Sequence, residues 1–245
     1  MMRSAFLVAA ASALTFRIAS ATSVFAHFMV QNAYAYDLDQ WKKDISSAQQ
    51  IGIDGFALNW IPPNCQGDLS WTIDTIDDAF NAASQMGFSM IHSFDMSYSE
   101  CNVYWNQTFM ADIISKNKDS SANYKWNNGI LVTTYGGDQV DEYGNDFFQG
   151  LKDQMSSSCP ITLAPALTTY SMGAQTNPQQ YASSLVSDYP SIDGYVNWQA
   201  WALNVKQNQT VTADQAFQSQ LKSSGKPGPY IMSESTQGML CSKSC

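Results

Sequence analysis

Short apolar segments alternate with longer amphipathic segments along most of the chain. Seven apolar segments predict β-strands over residues 24–30, 53–59, 88–96, 130–137, 161–167, 191–201 and 229–233, and the sixth of these segments runs from a strand into a loop. The amphipathic segments predict six helices over residues 37–52, 72–87, 108–117, 144–155, 178–189 and 212–225. Near-continuous apolar strands that alternate with such helices are typical of βαβ units, in which helices cover both faces of a parallel sheet. The sequence therefore predicts an α/β fold.

Two architectures are built from such units: the (β/α)8 TIM-type barrel and the doubly wound open sheet. A doubly wound sheet that binds nucleotides carries a glycine-rich phosphate loop after its first strand. Here the first predicted strand is followed by QNAYAYD, which contains no glycine. The pattern therefore favours a (β/α)8 barrel. It predicts an incomplete one, because about seven strands and six helices are present.

The first 21 residues have the pattern of a secretory signal peptide. Arg3 is a short basic region, residues 5–16 are apolar, and Ala19-Ser20-Ala21 supplies the small-residue cleavage pattern. The apolar run is too short to span a bilayer, which argues against a membrane anchor, and no later apolar segment of the sequence reaches spanning length. We therefore expect no membrane association after cleavage. These features predict a secreted, extracellular protein with a signal peptide over 1–21, a partial (β/α)8 domain over 22–232 and an atypical tail over 233–245.

The charge pattern bears on the possible partners. The chain has a formal net charge of −9 and an estimated pI of about 4.4, and it contains no basic run. Nucleic acid and anionic lipid both require clustered lysine and arginine, so the sequence argues against either partner. We expect a monomer that binds a neutral ligand.

The cysteines take their meaning from secretion, because thiols in an oxidising compartment are candidates for disulfides. Cys65 and Cys101 follow the second and third strands, whose loops are neighbours in a barrel, so we predict that they pair. The five cysteines form no paired C-x-x-C pattern and the chain has two histidines, which predicts no metal site and no cofactor. Asn106 and Asn208 begin N-glycosylation sequons.

Polar and aromatic residues lie at or near the carboxyl ends of the predicted strands, where (β/α)8 barrels place their active sites. These residues are His27, Asn59, Trp60, Asp95, Tyr135, Asp138, Trp198, Gln199 and Trp201. Each one alone also has a purely structural explanation, such as a turn for Asp95 or core packing for His27. Their shared position favours function. Aromatic faces and amide groups suit a neutral, polyhydroxylated ligand.

Several segments carry a specific resemblance. FAHFMVQNAYAYDLDQWKKDISSAQQIGIDGFALN and FSMIHSFDM resemble the opening of the fungal α-1,3-glucanases, or mutanases, of glycoside hydrolase family 71. NGILVTTYGGD, DGYVNWQAW and GKPGPYIM are similar to later family segments in the same order, so that the resemblance spans residues 24–232. It implies a secreted (β/α)8 barrel of the glucan endo-1,3-alpha-glucosidase type, which cleaves α-1,3-glucan with inversion.

The resemblance also implies roles for individual residues. Asp95 matches the family's Asp in SFDM, one of its proposed functional acids, and Asp138 stands where relatives often carry Glu. Gln199 stands where relatives often carry Asn or Asp between two tryptophans, here Trp198 and Trp201. We therefore predict that Asp95 and Asp138 are catalytic. The other strand-end residues, His27, Asn59, Trp60, Tyr135, Trp198, Gln199 and Trp201, are predicted to bind substrate.

The sequence departs from the family at its end. Relatives have a further strand that ends in a W-N-D-Y-G-E-S-like motif, whose Asp and Glu are the expected catalytic pair, and no similar motif occurs here. Three hypotheses follow. The chain is an α-1,3-glucan hydrolase, inactive as written if that acid pair is required; or it is a non-catalytic α-glucan-binding protein; or it is a truncated gene product without a stable fold.

Overall fold

The computed structural model describes residues 22–62, 70–97, 104–155, 159–199 and 210–233. Some sequence predictions lie outside these ranges: the signal peptide over 1–21, the Cys65–Cys101 disulfide, Trp201, the sequon at Asn208 and the tail after Ser233.

The described residues contain eight strands and seven α-helices, which alternate along the chain except that β4 is followed directly by β5 and α5 directly by α6. The strands are β1 Phe25–Met29, β2 Gly55–Trp60, β3 Ser89–Asp95, β4 Lys125–Trp126, β5 Gly129–Tyr135, β6 Ile161–Ala166, β7 Tyr195–Asn197 and β8 Tyr230–Met232. The helices are α1 Leu38–Gln50, α2 Ser70–Met86, α3 Gln107–Lys116, α4 Asn145–Met155, α5 Thr168–Gly173, α6 Pro178–Asp188 and α7 Thr212–Ser223. All seven strands and six helices expected from the sequence are present, and β4 and α5 are additional.

The sheet is mainly parallel. Five strands pair in the order β1-β2-β3-β5-β6, each parallel to the next, and the two-residue β4 pairs with β5 in the antiparallel direction. Strands β7 and β8 form a second parallel pair. The amides of Asp193 and Gly194 donate to the carbonyl of Leu163 in β6, so the chain enters β7 beside β6. This is the α/β fold that the sequence predicts.

Local signals start the helices where the pattern predicts. Asp37 precedes α1 and its side chain accepts a hydrogen bond from the Gln40 amide at 2.9 Å. Asn106 precedes α3, and its Oδ1 accepts from the Phe109 amide at 2.8 Å. Both contacts satisfy amides that the first helical turn leaves unpaired. The exposed Asn106 thus caps a helix through Oδ1, whereas a glycan would attach through Nδ2; glycosylation at this residue stays a prediction.

The two faces of the sheet carry different apolar clusters. The larger core lies between the sheet and the helices and includes Leu58, Phe80 and Phe217. On the opposite face, here called the inner face, a second cluster takes one residue from each of six strands: Phe25, Ala57, Ile91, Leu131, Ala164 and Ile231. Strands from the beginning and from the end of the chain therefore pack together on the inner face.

A charged contact joins β6, β7 and α4. The Lys152 ammonium lies 2.7 Å from Asp193 Oδ1, with side-chain exposures of 25% and 17%. It also donates to the Ser191 carbonyl at 2.9 Å, and Asp193 Oδ2 accepts from the Leu163 amide at 2.9 Å. Asp193 therefore pairs with the β6 backbone and with a cation at the same time.

Replacing Asp193 by alanine should lower the free energy of unfolding by about 2–3 kcal/mol, because a partly buried cation and a strand amide lose their partner. Chemical denaturation measures this change. Asp119→Ala is the matched control, since the Lys118–Asp119 pair has the same 2.7 Å separation but is far more exposed. Equal effects of the two substitutions would contradict the assignment.

Three further observations concern the described residues alone. No helix among them is both long and apolar enough to cross a membrane. Within the same ranges, no group of three or more His, Cys, Asp or Glu side chains is arranged to hold a metal ion. Cys159, the cysteine that falls in these ranges, is a buried free thiol.

Candidate active site

The strand register determines which predicted residues share the inner face. Asn59 is in register with Ser93, and Asp95 with Tyr135. Because side chains alternate along a strand, Asn59, Asp95 and Tyr135 lie on the same face as Ala57, Ile91 and Leu131, nearer to the carboxyl ends. His27 is in register with Ala57 and lies on this face as well.

Three aromatic side chains meet at this end of the inner face. The Trp198 ring lies 5.0 Å from the His27 ring and 4.7 Å from the Tyr135 ring, measured between centroids. We call these three residues the aromatic cluster. They come from β1, from the end of β5 and from the segment after β7, so the fold brings together residues that are far apart in sequence.

Asp95 is the last residue of β3 and is half-buried. Its Oδ1 accepts hydrogen bonds from the Ser97 amide at 3.1 Å and the Ser97 hydroxyl at 3.0 Å. Its carbonyl accepts from the indole of Trp105 at 2.9 Å. Burial raises the pKa of the Asp95 carboxyl, and the two Ser97 hydrogen bonds oppose this rise only in part. The acid therefore holds its proton to a higher pH than an ordinary aspartate does.

The two glycines after β5 permit the close approach of the loop that follows Asp95. Gly136 has a φ of +64°, and a Cβ at this residue would lie 2.6 Å from the Cβ of Ser97. Gly137 has a φ of +99°, and its Cβ would lie 2.9 Å from that of Met96. A side chain at either position would be strained and would displace the segment that holds the Asp95 carboxyl.

Asp138 has a different environment. Its Oδ1 accepts from the Thr168 amide at 2.9 Å, and its Oδ2 accepts from the Thr169 amide at 2.6 Å. The Thr168 hydroxyl donates to Oδ1 at 3.3 Å. Both carboxylate oxygens thus accept hydrogen bonds from the first two amides of α5, which have no partner within the helix.

The other predicted binding residues are not all brought together. Trp60 is 3% exposed, and its ring lies 5.9 Å from Phe94 and 6.0 Å from His92, within the core between sheet and helices. Asn59, its neighbour on β2, is buried on the inner face, and its Nδ2 has no hydrogen-bond partner. Gln199 is half-buried and follows the aromatic cluster directly.

His27 lies on the exposed part of β1, but the surrounding protein still removes part of its hydration. This burial lowers the pKa of the imidazole. His27 is therefore neutral near pH 7, which suits an aromatic contact with Trp198 and leaves a ring nitrogen as a hydrogen-bond acceptor.

Two residues that support this region were not found from the sequence. Ser171 in α5 and Tyr195 in β7 are buried, and their hydroxyl oxygens lie 2.6 Å apart. Helix α5 has six residues, which is too short for a helical period to stand out in the pattern. No signal in the sequence alone indicates that Ser171 lies beside Trp198.

The family follows from comparison with known proteins. The model of glycosyl hydrolase family 71 matches residues 20–239 of the chain. The chain belongs to this family. This match confirms the resemblance to family 71 that the sequence shows, over nearly the whole length of this chain.

Two similar fungal proteins have names that are consistent with this family. A glucan endo-1,3-alpha-glucosidase of Schizosaccharomyces pombe is 30% identical over 204 residues, which cover 80% of this chain and 43% of the relative. A mutanase of Penicillium rubens is 30% identical over 181 residues, covering 73% and 34% of the two chains. The family 71 chain thus spans less than half the length of these relatives.

A solved structure resembles the fold at low sequence identity. The endo-alpha-mannosidase of glycoside hydrolase family 99 from Bacteroides thetaiotaomicron matches with a TM-score of 0.53 and 10% identity. The match covers 81% of this chain and 53% of the mannosidase. It supports an α/β fold with mainly parallel strands.

Proposed function

We propose that this family 71 chain is a secreted, monomeric glycoside hydrolase that cleaves α-1,3-glucan with inversion, as a glucan endo-1,3-alpha-glucosidase. The observation that carries the proposal is the position of Asp95. A half-buried acid of raised pKa shares the mouth of the inner face with the aromatic cluster. The names of the fungal relatives supply the substrate class.

We further propose that the strands form an incomplete (β/α)8 barrel whose interior is the inner face. Packing of β1 and β8 residues into one cluster on that face supports this architecture, since a flat open sheet would hold its first and last strands apart. The contact between His27 and Trp198 supports it as well. In a barrel, the carboxyl ends of the strands surround one mouth, which is where Asp95 and the aromatic cluster lie.

The chemistry assigned to Asp95 is proton donation to the departing glycosidic oxygen. A general acid must still be protonated when substrate binds, and desolvation of its carboxyl favours that state. Inversion requires a second carboxylate about 6.5–9.5 Å away to activate water on the opposite sugar face. The sequence predicts that Asp138 is the second catalytic acid, but its carboxylate already binds three groups of α5.

This engagement of Asp138 favours a second candidate function, the binding of α-1,3-glucan without hydrolysis. The aromatic cluster supports this function, because flat aromatic rings can pack against the apolar faces of sugars. The two candidates differ in one measurable property, which is the release of new reducing ends.

The test is to incubate the purified full chain with α-1,3-glucan and to measure both the bound protein and the reducing ends. Hydrolysis predicts new reducing ends, which NMR should first detect as the β-anomer if the configuration inverts. Glucan-bound protein without reducing ends would select the binding function. If neither binding nor hydrolysis is observed, both proposals fail.

Trp198→Ala should weaken binding to an α-1,3-linked glucose oligosaccharide about 30-fold, because a central aromatic contact is commonly worth about 2 kcal/mol. Isothermal titration calorimetry measures the affinity. Trp126→Ala is the control, since Trp126 lies beside the first residue of β5 at the opposite end of the strands. A Trp198→Ala protein with wild-type affinity would exclude the aromatic cluster as the binding surface.

A further inference from the structure

Trp198 is fixed by its backbone as well as by its ring contacts. Its amide donates a hydrogen bond to Ser171 Oγ at 3.2 Å. Ser171 belongs to α5, which follows β6, whereas Trp198 follows β7. The hydroxyl of a buried serine on a neighbouring element therefore binds the backbone of the residue that carries the central ring of the aromatic cluster.

The direction of each hydrogen bond follows from the number of protons. The Tyr195 hydroxyl donates to the Leu167 carbonyl at 2.8 Å, which uses its only hydrogen. In its 2.6 Å contact with Ser171, Tyr195 is therefore the acceptor and Ser171 the donor. Ser171 Oγ is then left to accept from the Trp198 amide. The result is one continuous chain of donors and acceptors, from Trp198 through Ser171 and Tyr195 to Leu167.

This chain is anchored at a second point. Asp138 binds the amides of Thr168 and Thr169 at the start of α5, so the helix that carries Ser171 is held at its N-terminus. On the other side, Asn197 precedes Trp198 and its Nδ2 donates to Asp214 of α7 at 2.9 Å. The backbone at Trp198 is thus held from both flanking helices.

We propose that Ser171 is a positioning residue for the glucan site, and that it acts by directing the Trp198 indole toward His27 and Tyr135. Asp138 contributes through α5, as a positioning residue and not as a catalytic one. The proposal rests on the proposed function, because the aromatic cluster is the surface that contacts glucan. Helix α5, which the sequence pattern does not predict, then has the role of holding Ser171 beside Trp198.

The experiment follows the Trp198 indole directly. The full chain is labelled with 5-fluorotryptophan, and the Trp198 resonance is identified as the fluorine NMR signal lost in Trp198→Phe. Ser171→Ala should shift this resonance and weaken binding of an α-1,3-linked glucose oligosaccharide about three- to tenfold, the effect of losing one hydrogen bond. Ser171→Thr keeps the hydroxyl and should restore both readouts.

Two controls separate positioning from general stability. Ser191→Ala also removes a buried hydroxyl, one that donates to the Asn145 carbonyl at 3.3 Å, and it should change neither the Trp198 resonance nor the affinity. In a Trp198→Ala background, Ser171→Ala should cause no further loss of affinity, because Ser171 acts through the missing ring.

The inference is overturned if Ser171→Ala leaves the Trp198 resonance and the affinity at their wild-type values. It is overturned equally if Ser171→Ala weakens binding as much in the Trp198→Ala background as in the wild type. If the wild-type chain binds no oligosaccharide, the proposed function fails. The fluorine resonance alone then decides whether Ser171 positions Trp198.

Discussion

Replacing Asp95 by asparagine should lower the rate of α-1,3-glucan hydrolysis by a factor of about 10²–10⁴, the usual contribution of a positioned general acid. Asparagine has nearly the same shape and accepts the same hydrogen bonds from Ser97 through its oxygen, but it cannot donate the required proton. Substrate affinity should therefore change much less than kcat. Initial rates of reducing-end release, measured over a range of glucan concentrations, separate the two parameters.

The pH profile gives an independent check of this role. Because burial raises the pKa of Asp95, activity should persist to a higher pH than an ordinary aspartate allows, and it should decline as the carboxyl loses its proton.

Asp138→Asn is the matched control for the loss of kcat in Asp95→Asn, since it also replaces an aspartate near the end of a strand by its amide. A larger loss of kcat in Asp138→Asn than in Asp95→Asn would reverse the assignment of roles.

Acid should destabilise the protein steeply because of one buried histidine. His92 is fully buried, its ring stacks 5.1 Å from Phe80, and neither ring nitrogen has a hydrogen-bond partner. Burial lowers the pKa of His92 from 6.5 to about 3. Between these two pH values the unfolded chain binds a proton that the folded protein excludes, so stability falls as the pH falls.

The expected slope is about 1.4 kcal/mol for each pH unit, and the total loss from this residue is about 5 kcal/mol between pH 6.5 and 3. His92→Phe should remove this contribution, because phenylalanine carries no titratable group and fits a site lined by Phe80, Phe94 and Trp60. Chemical denaturation of both chains across this pH range measures the difference. Parallel stability curves for the two chains would show that His92 has no such role.

Much of the fold is predictable from the sequence because its strands are buried. The central residues of β3 and β5 are buried on both faces of the sheet, and most of them are apolar, as at Met90, Ile91, Leu131 and Val132, which produces the hydrophobic segments that the pattern detects. Elements that depend on contacts between distant residues were not predicted. Helix α5 begins where Asp138 binds its first amides, and β4 is joined to β6 by a hydrogen bond from the Thr162 hydroxyl to the Trp126 carbonyl.

The same distinction applies to the site. Asn59 and Trp60 are both at the end of β2, so the sequence alone predicts that both bind substrate. Because adjacent strand residues point in opposite directions, Asn59 lies on the inner face and Trp60 in the core. Strand β7 occupies Tyr195–Asn197 within the segment 191–201 that is predicted to run from strand into loop, because the Gly194 amide binds β6 and the Trp198 amide binds Ser171. Such contacts depend on the tertiary structure, which an apolar pattern does not encode.

The most direct measurement is a crystal structure of the Asp95→Asn chain with an α-1,3-linked glucose oligosaccharide. We expect a glucose ring against the Trp198 indole, between His27 and Tyr135, with a glycosidic oxygen about 3 Å from the side chain at position 95. An oligosaccharide bound elsewhere on the protein, with the aromatic cluster unoccupied, would contradict this expectation.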